Sequence, residues 1–170
     1  MIRKYVRGRV CVFIDAANLE NAIKDLDWWM DYRKLWDYFT QETRLTSIRF
    51  YCPRFKDRRQ DKFFVVLKHI GYKLITKSLK IITDKSEEYN RKANFDVEIA
   101  LDAWTSKNDY DTLILFSGDS DFDYLIKKLR QENKRVMVIS SRYHISHELI
   151  KSSYKYIDLK KLRKFLERKK

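Results

Sequence analysis

Three short runs of uninterrupted apolar residues constrain this chain more than any other feature. Val10-Cys-Val-Phe-Ile14, Leu113-Ile-Leu-Phe116 and Val136-Met-Val-Ile139 are apolar at every position and not at alternate ones. That is the pattern of parallel strands covered on both faces. The segments between them carry apolar residues at helical spacing, as in Tyr32, Leu35, Trp36 and Phe39, or Phe63, Phe64, Leu67 and Ile70. The spacing predicts strands over 10–15, 46–52 (stopped by Pro53), 73–82, 111–116, 134–139 and 155–158. Helices are expected over 18–26, 31–41, 57–70 (capped by Gly71), 94–107, 119–131 and 146–151, with a loop over 83–92 and a basic helix over 159–170. Strands alternating with helices of this length make βαβ units, and so an α/β fold: a three-layer α/β/α sandwich with a mainly parallel central sheet.

Two of the apolar runs end in acids. Asp15 closes the first, with Asn18 three residues on; the second leads into Ser117-Gly-Asp-Ser-Asp121. In open α/β sheets ligands bind beyond the carboxyl ends of the strands. If the first and fourth strands are neighbours, Asp15, Asp119 and Asp121 converge there, and Asp96, near the start of the 94–107 helix, can join them. Clustered carboxylates repel one another and are tolerated when a cation lies between them. Mg²⁺, which takes oxygen ligands, suits such a set with Asn18 beside it. The competing explanation is helix capping, since acids are favoured at helix N-termini. Ser120 with Asp123 forms an S-x-x-D variant of the capping box, which leaves Asp119 and Asp121 free. Asp102 lies six residues after Asp96, on another side of the helix, and is expected to be solvated or ion-paired.

The chain has 170 residues, 44 % hydrophobic and 15 % aromatic, enough for one packed domain over 1–170 and too apolar for disorder. A net charge of +13 fits a polyanionic partner, or else a surface of solvated bases. Cys11 and Cys52 have no metal-type spacing and are expected to be reduced thiols in a cytoplasmic protein. No run reaches membrane-spanning length, and the basic N-terminus lacks a signal-peptide pattern. Trp28, Trp29, Tyr32 and Trp36 are expected to expose apolar surface, which would make a homodimer unsurprising. His144 and His147, three apart, are read as surface or capping groups, with Ser146 starting the helix. No Ser-His-Asp set, phosphate-binding GxxxxGK[ST] or GxGxxG is present.

Phe13-Ile-Asp-Ala-Ala-Asn18, Asn94-Phe-Asp-Val-Glu-Ile-Ala-Leu-Asp102 and Phe116-Ser-Gly-Asp-Ser-Asp-Phe122, in this order, resemble the NYN domain, the LabA/DUF88-like branch of the PIN-like nucleases. The resemblance spans about residues 9–160 and implies a PIN-like, Rossmann-like fold. It implies a metal-dependent endoribonuclease, with Asp15, Asp96, Asp119 and Asp121 holding Mg²⁺ or Mn²⁺ and Asn18 supporting them. The reaction implied is in-line hydrolysis of an RNA phosphodiester, leaving a 5′-phosphate and a 3′-hydroxyl. Bases must then escort the RNA backbone to an acidic pocket. Arg54, Lys56, Arg58 and Arg59 are best placed, with Tyr51 and Phe55 interleaved for stacking; the alternative is that the aromatics are core and the bases a solvated helix face. Lys92 is a further RNA contact, although related sequences read Lys-Gly-Val-Asp where this chain has Lys92-Ala-Asn-Phe-Asp96. The alternative function is a non-catalytic RNA-binding module of the same fold. A Toprim-like site would place Glu after the first strand, and a haloacid-type phosphatase a second acid at Asp15+2; neither is found.

Overall fold

The computed structural model describes residues 1–78 and 94–169. Its centre is a six-stranded sheet of β1 (Arg9–Asp15), β2 (Arg44–Arg54), β3 (Lys73–Ser78), β4 (Thr112–Phe116), β5 (Arg135–Ser140) and β6 (Lys155–Asp158). The strands lie in the order β3-β2-β1-β4-β5-β6, and every neighbouring pair is parallel. Among the described residues seven α-helices flank it: α1 (Ala16–Leu26), α2 (Tyr32–Glu42), α3 (Arg58–Ile70), α4 (Asp96–Thr105), α5 (Asp123–Gln131), α6 (His147–Ser152) and α7 (Arg163–Leu166). The expected α/β/α sandwich is present, with a sheet that is parallel throughout.

The period-2 geometry of the strands divides the core into two clusters. Val10, Val12, Ile14, Ile114, Phe116, Met137 and Ile139 face one side; Cys11, Phe13, Leu113, Leu115, Val136 and Val138 face the other. Each such side chain taken fully from water contributes roughly 1.5–3 kcal/mol. The first cluster is covered by α1, α2, α3 and α7, the second by α4, α5 and α6. Helix starts follow their caps. The Asp31 carboxylate accepts the amides of Arg33 and Lys34 at 3.0 Å each, and Ser146 accepts that of Leu149 at 3.3 Å.

Three expectations need correction. Pro53 does not stop β2: it pairs with Lys77 of β3 inside the ladder. β1 has ended opposite Tyr51, so the strand there has a neighbour on one side only, where a missing N–H is tolerated. The basic C-terminal helix is one turn of 3₁₀ helix (Leu159–Leu162) followed by the four-residue α7. It ends because Glu167 turns extended and bridges Met30, while the Arg168 amide donates to the Trp29 carbonyl at 2.8 Å. Of the tryptophan-rich segment only Trp29 is exposed; Trp28 is buried, and Tyr32 and Trp36 pack on Tyr72. The apolar surface from which self-association was expected is therefore mostly interior. The loop expected over 83–92, and the end of the strand expected to reach 82, lie outside the described residues.

Among the described residues no helix is long and apolar enough to cross a membrane. Both cysteines are free and buried. Burial pushes the Cys52 thiol up to about 12, with the Glu20 charge adding to the effect. From an ordinary 9.0 this lowers the thiolate fraction roughly a thousandfold at neutral pH. Cys52 in native protein is therefore expected to resist iodoacetamide at pH 8 and to react only in denaturant. Peptide mass spectrometry after timed labelling checks this, and equal rates in both states would contradict it.

Candidate metal centre

The chain runs outward from β1 through β2 to β3, then returns to the centre as β4 beside β1. This is the order in which doubly wound sheets open a crevice, at the carboxyl ends of the two central strands. Ile14 pairs with Phe116 in the last register of that pair, so Asp15 and Ser117-Gly118-Asp119 leave the sheet side by side.

Asp96, Asp119 and Asp121 each bring a carboxylate oxygen to within 4.8 Å of the other two. Asp96 is the first residue of α4, and its amide donates to Asn94 Oδ1 at 2.7 Å. Asp119 is set by its own amide, which donates to Ser117 Oγ at 3.2 Å. Its Oδ1 accepts the Asp121 amide at 3.0 Å and caps a 3₁₀ turn, Ser120–Phe122, that leads into α5. The capping box expected of Ser120 and Asp123 is thus not the cap. The chain tightens into a 3₁₀ turn first, which moves the capping position back to Asp119, and Asp123 pairs with Lys127 at 2.6 Å. Partial burial raises the Asp96 carboxyl above its ordinary range, and the charges of Asp119 and Asp121 raise it further.

Asp15 lies outside that trio but is tied to it. Its Oδ1 caps α1, accepting the amides of Ala17 and Asn18 at 3.1 and 3.3 Å. Its Oδ2 accepts Asn18 Nδ2 at 2.6 Å, while Asn18 Oδ1 accepts the Gly118 amide at 3.3 Å. Only one orientation of the Asn18 amide satisfies both bonds, so this side chain locks the end of β1 to the turn after β4. Burial raises the Asp15 carboxyl and the Asp96 charge adds to it, partly offset by the bonds from Asn18.

Helix α4, which carries Asp96, is held by polar contacts that the sequence did not disclose. Lys77, at the end of β3, pairs with Glu98 at 2.7 Å and lies 4.7 Å over the Phe95 ring. Arg49 of β2 pairs with Asp102 at 3.2 Å, its guanidinium 4.9 Å over Phe13, and Tyr51 donates its hydroxyl to Asp102 at 2.8 Å. The ion-paired reading of Asp102 is therefore correct. Asp102→Ala is expected to cost about 1–3 kcal/mol by stranding Arg49 and the Tyr51 hydroxyl. Thermal melting checks this, and an unchanged midpoint would mean that the pair adds nothing.

The predicted RNA contacts are distributed less simply. Arg54, Lys56, Arg58 and Arg59 are exposed around the start of α3, on the carboxyl side of β2. Arg54 pairs with Asp61 and Arg59 with Asp57, both at 3.3 Å. Lys92 lies outside the described residues. Phe55 is exposed, but Tyr51 cannot stack on a base: it is fully buried between Phe13 and Phe95. Its position on the face covered by α4 decides that. His144 pairs with the exposed Asp25 at 2.6 Å, and Ser146 starts α6 as expected.

A doubly wound parallel sheet with an acidic trio at its switch point defines a Rossmann-like domain whose carboxylates could hold a divalent cation. A family model described as "NYN domain" matches residues 9–160, and the chain belongs to that family, whose fold is nuclease-like. It is 34 % identical over 165 residues to the low amplitude and bright protein LabA of Synechococcus elongatus, an alignment covering 95 % of this chain and 89 % of that one. It is also similar to the crystal structure of a protein of unknown function from Vibrio parahaemolyticus. The TM-score is 0.77 at 26 % identity, covering 94 % of this chain and 96 % of the other.

Proposed function

We propose that this chain is a metal-dependent endoribonuclease. The observation that carries the reading is the convergence of Asp96, Asp119 and Asp121 within 4.8 Å at the switch point, in a protein of net charge +13. Three carboxylates this close, with Asp96 raised by burial and further by its two neighbours, fit a site built to receive a cation. An all-oxygen donor set selects Mg²⁺ or Mn²⁺ over softer metals. Asp96, Asp119 and Asp121 would hold it, with Asp15 as the fourth acid and Asn18 keeping Asp15 oriented. A divalent ion bound there supplies the Lewis acidity that lets water attack a phosphodiester at neutral pH.

The remaining roles belong to the chain itself. Arg54, Lys56, Arg58 and Arg59 bind the phosphate backbone and offset the repulsion an acidic crevice exerts on RNA. Lys77, at the same sheet edge, adds a cation beside Asp96. Free, buried thiols suit a reducing compartment, so we assign the activity to the cytoplasm.

The test is incubation of purified protein with end-labelled single-stranded RNA in Mg²⁺ or Mn²⁺. Internal cuts leaving 5′-phosphate and 3′-hydroxyl ends, abolished by EDTA, are expected. Cleavage that persists in EDTA would sink the metal-dependent mechanism. Binding without cleavage in both metals would establish the non-catalytic RNA-binding module instead.

A further inference from the structure

We propose that Tyr143, backed by Arg142, is a stacking platform for an unpaired RNA base beside the phosphate held at the acidic trio. The inference rests on the RNA-cleaving reading above and adds to it the side of the crevice on which the substrate strand lies. The loop of residues 141–146 leaves β5 at the carboxyl edge of the sheet, and β5 is the neighbour of β4, the strand that delivers Asp119. The Ser146 amide donates to the Gly118 carbonyl at 3.0 Å, and the His144 carbonyl packs so tightly on Gly118 that a Cβ there would meet it at 2.0 Å. Asp119 is the next residue. The loop is therefore part of the wall of the acidic crevice.

It is also preorganised. The amides of His144 and Ile145 both donate to the Ser141 carbonyl at 3.1 Å, and His144 Nε2 lies 2.6 Å from Asp25 Oδ2. On this held backbone the Tyr143 side chain stands out, 62 % exposed. The Arg142 guanidinium lies 4.7 Å over its ring, and Nη2 donates to the phenol oxygen at 2.6 Å. Beside this cation most of the residue remains open to solvent. Stacking on an aromatic face is how single-stranded nucleic acid is held without regard to sequence, and an adjacent arginine adds attraction for phosphate. Of the described aromatics near this edge, Tyr51, Phe95 and Phe122 are buried, Phe55 stands on the far flank beyond β2, and Tyr124, exposed in the first turn of α5 with Lys128 Nζ 5.4 Å from its ring centre, offers a second ring.

The experiment measures anisotropy of a fluorescein-labelled single-stranded oligouridylate in Mg²⁺, in the non-cleaving Asp119→Asn background. Adding Tyr143→Ala is expected to weaken binding roughly tenfold or more, while Tyr143→Phe, which keeps the ring, stays within about twofold. With an abasic oligomer of the same length the alanine and tyrosine forms are expected to bind equally, a result that a merely structural role would not give. Equal affinity of the alanine and tyrosine forms for oligouridylate overturns the platform and leaves the nuclease reading intact. So does a phenylalanine form as weak as the alanine form. Tyr143-dependent binding by a protein that cleaves nothing supports the platform and overturns the nuclease, and absence of any RNA binding overturns both.

Discussion

Asp119→Asn is expected to lower RNA cleavage by more than about 100-fold, beyond what loss of a merely supporting group near a metal costs. The substitution is isosteric, and an asparagine at this position can still accept the Asp121 amide, so the 3₁₀ turn keeps its cap. What disappears is one negative charge among three, and with it the site's attraction for a divalent ion. Two physical readouts separate this from damage to the fold. Metal-free protein is expected to melt no lower than the parent, because a like charge beside Asp96 has been removed. Titration with Mn²⁺ is expected to raise the melting point of the parent by mass action and to leave that of the variant unmoved. Undiminished cleavage by the variant would exclude Asp119 from the chemistry.

The same crowding gives acid pH an unusual local sign. Burial, with Asp119 and Asp121 adding, raises Asp96 in the folded state, so its ionisation at neutral pH opposes folding. That cost is fully present above the folded-state value and vanishes as pH falls through it. Asp111 behaves oppositely. The Arg9 backbone amide and guanidinium lower its carboxyl, giving stability that is present above the unfolded value and lost as pH falls toward the folded one. Acid thus relieves the candidate site while loosening the opposite, amino-terminal edge of the sheet, where Arg9 and Asp111 pair.

How much could be read from the chain follows from which forces are local. The strands were legible because residues 10–14, 113–116 and 136–139 are apolar at every position, which only a doubly covered strand requires. The pairing of β1 with β4 was not, since it joins segments about a hundred residues apart and depends on how helices pack from both sides. Asp15 and Asp119 could be singled out as acids ending buried strands. Asp96 could not be placed by that rule, because it starts a helix and ends no strand; its place near the start of the 94–107 helix allowed it to join the set, and the resemblance made it a ligand. Tyr51 was misread because alternation says that two faces exist without saying which is covered. The terminal helix was misread because a basic amphipathic run looks helical until a tertiary bridge to Met30 competes with its last turn.

Gly118→Ala is expected to injure both the fold and the site, and the cause is contact distance. A Cβ at this position would stand 2.0 Å from the His144 carbonyl oxygen, 2.6 Å from its carbon and 2.9 Å from Ser140 Oγ. The first two are backbone atoms that cannot rotate away, so the chain after β4 or the 141–146 loop must shift. Either shift strains the bond from Ser146 to the Gly118 carbonyl and the one from the Gly118 amide to Asn18 Oδ1. Overpacking of this kind costs about 1–3 kcal/mol. In a domain of this size that lowers the melting point by roughly 2–12 °C. Gly71 makes a useful comparison: its Cβ would meet the Trp36 ring, a side chain that can move, and its own penalty comes from a φ of 122°. A displaced Gly118 carries Asp119 with it, so the variant is also expected to lose the Mn²⁺-dependent rise in melting point, whereas Gly71→Ala keeps that rise despite its lower stability. A Gly118→Ala protein with parental melting and a parental Mn²⁺ response would mean that the loop yields freely, and that Asp119 is held in place by something other than this contact.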